Sequence, residues 1–225
     1  EVRIMREEDY SPAGTPPSWA PVDELGEGVW RHTFRGVPCG GLYQIQTRLL
    51  WRDSGGAQAA RMGDTIHHLG VGDLWLIAGQ SNASGTGRGQ AEDGPELGVH
   101  VLRNDETWGL AVHPLNEPRG TDHPNRDAGP GTSPYLRFAK VLQRALGYPI
   151  GLIQAARGGS PLRQWHVEED PQAPLWHNMV HCVRLAGGRF RGMAWYQGCS
   201  DAGLPGDAWA YERRWRRFIE LARDK

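Results

Sequence analysis

Residues 43–49 alternate, with Tyr43, Ile45, Thr47 and Leu49 on one side and Gln44, Gln46 and Arg48 on the other. A period of two predicts a strand with one wet face. Asp53-Ser54-Gly55-Gly56 predicts a turn, after which residues 64–73 return as a second strand. No helical period occurs before residue 70, so residues 1–70 are expected to form a small β-rich module. Beyond that point the pattern changes. Residues 73–79 (DLWLIAG), 148–156 (YPIGLIQAA) and 190–198 (FRGMAWYQG) are short apolar runs expected as buried strands. Helices are expected between and after them. Ser133 caps the first, Pro134 suits its first turn and Gly147 its stop, with Tyr135, Phe138, Leu142 and Ala145 as the inward stripe. The second spans 175–188, with Trp176, Val180 and Val183 on one face and a stop at Gly187. The third spans 207–225 and turns Tyr211, Trp215, Phe218, Ile219 and Ala222 inward. Strands alternating with helices predict an α/β domain over 71–225, built on a parallel sheet covered on both faces. Residues 113–134 hold five prolines and little periodicity. A loop of that length in a compact domain is usually functional or mobile.

Composition narrows the function classes. The chain has 225 residues and a formal net charge of −1, which argues against a general nucleic-acid binder. No stretch approaches the roughly 18–20 apolar residues of a membrane span. The N-terminal segment EVRIMREEDYSPAG lacks the apolar centre of a signal peptide. Cys39, Cys182 and Cys199 cannot all pair, and their spacing suits neither a disulfide framework nor zinc. Read as reduced thiols, they suit the cytoplasm. His177 and His181 stand four apart on a helix, but no carboxylate pattern accompanies them, so no metal is expected. GTGRG at 85–89 lacks the Lys-Ser/Thr ending of a phosphate loop, and ERRWRR at 212–217 reads as the wet face of its helix.

In open parallel sheets, ligands bind beyond the carboxyl ends of strands. Three such ends carry suitable chemistry: Gly79-Gln80-Ser81-Asn82, then Ala156-Arg157-Gly158-Gly159-Ser160, then Gln197-Gly198-Cys199-Ser200-Asp201. Side by side, the three strands would bring these groups together. Ser81 would stand on a sharp strand-to-helix turn with its hydroxyl exposed. Gly158 and Gly159 would let backbone N–H groups approach an oxyanion, and Gln197 would add an amide donor. That is the equipment of acyl transfer, where one oxyanion donor is worth about 10²–10³ in rate.

GQSN, IGLIQAARGGSPLRQW and AWYQGCSDA resemble successive blocks of the sialate O-acetylesterase-like branch of the SGNH (GDSL-like) hydrolases, which includes related carbohydrate acetylesterases. The resemblance runs from about residue 70 to the end of the chain. It implies a flavodoxin-like three-layer α/β/α fold and removal of O-acetyl groups from a sugar or glycan, through an acetyl-enzyme and without a cofactor. By position it implies Ser81 as nucleophile, with Gly158 or Gly159 and Gln197 as oxyanion donors. Gln80, Asn82, Asn178, Arg157 and Arg163 are the candidate sugar contacts, the arginines suiting an anionic sugar such as a sialic acid.

Two departures qualify the resemblance. Cys199 stands where many relatives have Glu, and a thiol is a weak acceptor. The family's late Asp-x-x-His block does not follow the third strand end in this sequence, so the C-terminal part of the fold is expected to be missing. A further segment or a second chain would supply the catalytic histidine. His113, His123 and His166 are the local substitutes, but each would need a new triad geometry. Losing the base of a serine hydrolase can cost on the order of 10⁶ in turnover, so the isolated chain is expected to be nearly inactive. A catalytically impaired carbohydrate-binding protein of the same fold is the alternative. A lipid or thioester hydrolase would require a deep apolar acyl tunnel.

Overall fold

The computed structural model describes residues 1–89, 91, 93–117, 124–126, 129 and 131–224. The chain divides into two compact units, Glu1–Gly72 with Leu146–Pro149, and Asp73–Ala145 with Ile150–Lys225.

The first unit is all β in its regular elements: β1 (Val2–Arg6), β2 (Asp23–Gly26), β3 (Val29–Arg31), β4 (Gly40–Arg52) and β5 (Gln58–Val71). β1, β4 and β5 form an antiparallel sheet, and β2 and β3 pair as a hairpin. The alternation at 43–49 lies within β4. Tyr43 is fully buried on Ile4 and Ala13, with Phe34, Val37 and Leu69 packed around them. The same face fades toward the hairpin tip, where Leu49 is 68% exposed. β1 pairs with Tyr43–Thr47, so among the described residues the distal hairpin has no third strand to cover it. Asp53 shapes the tip by accepting the N–H groups of Gly55 and Ala57, both at 2.9 Å.

The second unit contains β6 (Asp73–Gly79), α1 (Ser81–Ser84), β7 (Val99–Leu102), β8 (Trp108–Leu110), α2 (Pro134–Leu146), β9 (Ile150–Gln154), a 3-10 turn (Leu162–Trp165), α3 (Pro174–Leu185), β10 (Gly192–Tyr196), α4 (Cys199–Ala202) and α5 (Pro205–Arg223). Its sheet runs β10-β6-β9-β7-β8, parallel throughout except for β8. Leu76, Ala78 and Ile153 face a core built from α3, α5 and the 3-10 turn, with Trp165, Trp176, Met179 and Phe218 at its centre. Trp75 points to the opposite face and meets Phe138 of α2 edge-on at 5.1 Å. Helices on both faces make a three-layer α/β/α unit.

The expected strands at 73–79, 148–156 and 190–198 are β6, β9 and β10. The helices differ in detail. Ser133 Oγ accepts the Tyr135 N–H at 3.3 Å, as a cap should. The buried side of α2, however, is Leu136, Ala139 and Lys140, whereas Ala145 is exposed. Lys140 turns inward because Asp93 Oδ1 (3.1 Å) and the Gly94 carbonyl (3.0 Å) receive its ammonium. The helical face is therefore rotated from the apolar stripe. The sequence pattern gives no sign of β7 and β8, since four and three residues are too short to show a period.

Candidate active site

The turn after β6 is built by backbone necessity. Gly79 has φ +125°, and a Cβ there would lie 2.3 Å from the Tyr196 carbonyl oxygen. That closeness lets Gln80 N–H reach the same carbonyl (3.0 Å), while Arg157 N–H reaches the Gly79 carbonyl (3.0 Å). The ladder of three adjacent parallel strands thus continues one step past their ends. Gln80 is extended and starts α1. The first intrahelical bond joins Ser84 N–H to the Gln80 carbonyl (2.8 Å), so the N–H groups of Ser81, Asn82 and Ala83 open the helix ahead of it. Ser81 is half-buried and Asn82 exposed. Thr86 Oγ1 donates to the Ser81 carbonyl at 3.2 Å and helps close the short helix.

The other two loops meet this turn through side chains. Gln80 is only 4% exposed. Its Oε1 accepts the N–H groups of Ser200 (3.0 Å) and Gly198 (3.1 Å) and faces Gln197 Nε2 at 3.3 Å. Gln197 Nε2 also donates to the Ser160 carbonyl (3.0 Å) and to Asp201 Oδ2 (2.5 Å). Ser160 is buried, its Oγ donating to the Arg157 carbonyl (2.7 Å) and accepting from Trp165 Nε1 (3.2 Å). Gly159, between them, is exposed with φ +70° and nothing within 4 Å of a Cβ position. One hydrogen-bonded cluster therefore joins Gly79, Gln80, Arg157, Ser160, Gln197 and Asp201 around the turn that carries Ser81.

Several of the expected contact residues have internal partners in this geometry. Gln197 has two amide hydrogens and three internal acceptors, so an oxyanion would compete with them for its nitrogen. Gln80 spends its carbonyl on the third loop rather than on a ligand. Arg163 pairs with Asp207 at 2.5 Å, and Arg157 donates to the Pro124 carbonyl at 2.9 Å. Asn178 is 5% exposed on α3, and among the described residues its Nδ2 has no partner and no hydrogen bond ties it to the cluster.

Among the described residues no histidine is hydrogen-bonded to Ser81. His113 Nδ1 accepts the Ser133 N–H at 3.3 Å, and burial holds its pKa below the ordinary value. His166 is buried with Nδ1 unpartnered. His123 lies outside the described residues. His177 Nε2 meets the Pro171 carbonyl (2.9 Å) and His181 Nε2 meets Glu106 (2.7 Å). No cluster of three His, Cys, Asp or Glu suited to a metal occurs among the described residues.

Two features of the site leave no signal in the sequence pattern. Asp201, 1% exposed, accepts the Leu162 N–H at both carboxylate oxygens (3.1 and 3.0 Å) besides Gln197. Asn116, fully buried, donates to Ser84 Oγ (2.7 Å), the Asn125 carbonyl (2.8 Å) and the Ala156 carbonyl (3.2 Å), and accepts from Asn104 (2.6 Å). It ties the Pro-rich loop to α1 and to the second strand end. A cavity of about 530 Å³ opens between α3, β10 and α5, lined by Trp176, Met179, Val180, Met193 and Trp215. None of the Ser81 cluster lines it, so it is not an acyl tunnel for that serine.

Residues 71–225 match the sequence profile of a family described as carbohydrate esterase, sialic acid-specific acetylesterase. A probable carbohydrate esterase of Arabidopsis thaliana is 28% identical over 174 residues, covering 67% of this chain and 62% of that protein. The human sialate O-acetylesterase is 26% identical over 175 residues, which cover 60% of this chain and 32% of that one. The chain thus spans less than two thirds of the length of these relatives. A crystal structure of an Arabidopsis thaliana protein superposes with a TM-score of 0.56 at 25% identity over 67% of each chain. A carbohydrate acetylesterase from Xanthomonas citri shares the fold, with a TM-score of 0.53 at 24% identity, over 87% of this chain and 45% of that one.

Proposed function

The chain belongs to the carbohydrate esterase family of sialic acid-specific acetylesterases, and from that premise we propose that it removes O-acetyl groups from a sugar or glycan with Ser81 as nucleophile. Ser81 Oγ attacks the acetyl carbonyl, the sugar hydroxyl leaves, and water hydrolyses the acetyl-enzyme. The negative oxygen is received by backbone N–H groups, that of Ser81 at the start of α1 and that of Gly159 on the exposed turn. Gln197 acts behind them as a brace rather than as a donor. In this reading the general base is a histidine brought by a further segment or a second chain. Asn82, exposed beside Ser81, and Arg157, half-buried with one guanidinium nitrogen on the Pro124 carbonyl, are the remaining sugar contacts.

The observation that carries the proposal is the hydrogen-bonded convergence of three strand-end loops on the Gly79-Gln80-Ser81 turn. The test, made with the histidine-bearing segment or partner chain present, is labelling by a serine-directed phosphonate, together with acetate release from O-acetylated sialic acid and acetylated polysaccharide. Ser81→Ala should abolish labelling and lower acetate release by about 10³-fold or more. Equal labelling and release by both proteins would reject the nucleophile.

A second reading is a carbohydrate-binding protein that kept the fold without the turnover. The commitment of the Gln197 amide to internal acceptors, and the lack of a histidine on Ser81 among the described residues, favour it. Saturable binding of an acetylated sugar with neither labelling nor acetate release would select it.

A further inference from the structure

We propose that Asp201 is the positioning residue of the Ser81 site, a role that deepens the esterase reading and rests on it. The carboxylate is buried, and among the described residues no Lys, Arg or His lies within ion-pair distance of it. Among the described residues its oxygens are held by N–H donors alone: the Leu162 backbone on both oxygens and Gln197 Nε2 on Oδ2. An isolated carboxylate is costly to bury, so its place needs a reason.

The reason lies in what a carboxylate can do that a neutral amide cannot. Both of its oxygens only accept. It therefore dictates that the Gln197 amide present nitrogen, not oxygen, toward Asp201. Gln197 Oε1 is left buried without a partner among the described residues as the consequence. With nitrogen so directed, the same amide reaches the Ser160 carbonyl and Gln80 Oε1. Asp201 thereby grips the second loop twice, at Leu162 directly and at Ser160 through Gln197, just after Gly159. It grips the first loop through Gln80, the residue before Ser81. The two N–H groups assigned to the oxyanion each sit one residue from a point that Asp201 controls.

Asp201→Asn offers one oxygen and one NH₂. Keeping the Leu162 bond on the oxygen turns the NH₂ toward Gln197, whose amide must then rotate and release Ser160 and Gln80. The experiment compares the 225-residue chain with Asp201→Asn, Asp201→Glu, Gln197→Met and the Asn/Met double variant. Three quantities are read: hydrogen exchange of the Gln197 side-chain amide by NMR, the rate of phosphonate labelling at Ser81, and kcat and KM for p-nitrophenyl acetate. Asp201→Asn is expected to slow labelling and kcat by about 10–100-fold, the scale of a small misplacement of reacting groups. KM should stay within about twofold, because uniform binding is untouched. Asp201→Glu should recover part of the loss. The double variant should be no slower than the slower single one, since both act through one link.

Unchanged labelling and unchanged Gln197 exchange in Asp201→Asn would overturn the proposal. So would a loss of thermal stability with full kcat in the folded fraction. If Asp201→Asn does not fold, Gln197→Met decides: an unaltered labelling rate overturns the proposal, and a slowed one supports it. If the unmodified chain is neither labelled nor turns over ester, both readouts need the histidine of a further segment or second chain, and the esterase reading is tested separately with that histidine supplied. The Gln197 amide then decides alone, with faster exchange in Asp201→Asn supporting the clamp and equal exchange refuting it.

Discussion

Gly79 and Gly159 flank the candidate site on two different loops, and both have positive φ, yet they serve different needs. Gly79 sits against the Tyr196 backbone, where a Cβ would meet carbonyl oxygen at 2.3 Å. Among the described residues Gly159 has open space where a Cβ would go. Gly79→Ala should therefore add a backbone clash to the conformational strain of about 1–3 kcal/mol that Gly159→Ala incurs alone. Urea denaturation of the two variants checks this, and equal midpoints would refute the tight contact at Gly79. The sequence showed these glycines, Ser81 and the three strand ends, because each is a local signal: an apolar run that stops at a small residue. It did not show that Gln80 and Gln197 face each other and Asp201. That fact depends on a register between β6 and β10, more than a hundred residues apart, in which Gly79 lies opposite Tyr196. A polar residue at a strand end reads as a ligand group until its internal partner is known. Asn116 was illegible for the same reason, since its acceptors come from three separate segments.

α5 shows how an element can be read correctly and still hide its role. Its inward positions followed from the 3.6-residue period, and Phe218 is fully buried as expected. Phe218 lies 4.9 Å from Trp195, 5.4 Å from Trp215 and 5.7 Å from Trp176, ring centre to ring centre. It thus joins β10, α5 and α3 at one point. Phe218→Ala should cost about 3–5 kcal/mol, and thermal or chemical denaturation measures it. A loss under about 1 kcal/mol would mean that the aromatic cluster collapses freely into the space, against the packing described. The outer face carries a different load. Arg214 donates to Glu169 (2.8 Å) and Asp207 (2.7 Å), and Arg217 to Glu168 (2.6 Å), so the segment after the 3-10 turn is fastened to α5. The run ERRWRR, read as a wet face, is in part a clasp on the chain that follows Ser160. α2 was the element where apolar counting misplaced the face, because Lys140 can enter the interior once Asp93 and the Gly94 carbonyl receive it.

For the whole molecule, the decisive property is the order of strands in the parallel sheet. β6, which delivers Ser81, is flanked by β9 and β10, which deliver the other two loops. Alternation of strands and helices alone does not dictate that adjacency, since several strand orders satisfy it equally well. The order also makes a physical demand. β6 and β9 are bonded on both sides, whereas among the described residues β10 pairs only with β6. Half of the β10 N–H groups therefore point away from the ladder, and none of its residues is fully buried. Amide hydrogen exchange should separate the strands. β6 and β9 amides should exchange only through global opening, while the outward amides of Gly192–Tyr196 should exchange through local motion. A global stability of even about 5 kcal/mol makes that difference about 10³-fold or more. Equal protection of β10 and β6 would mean that another polypeptide, a second copy or a further strand, lies along the β10 edge. In a parallel arrangement such a strand would end on the rim that carries Ser81, so the exchange pattern of one edge strand reports directly on whether the site is complete.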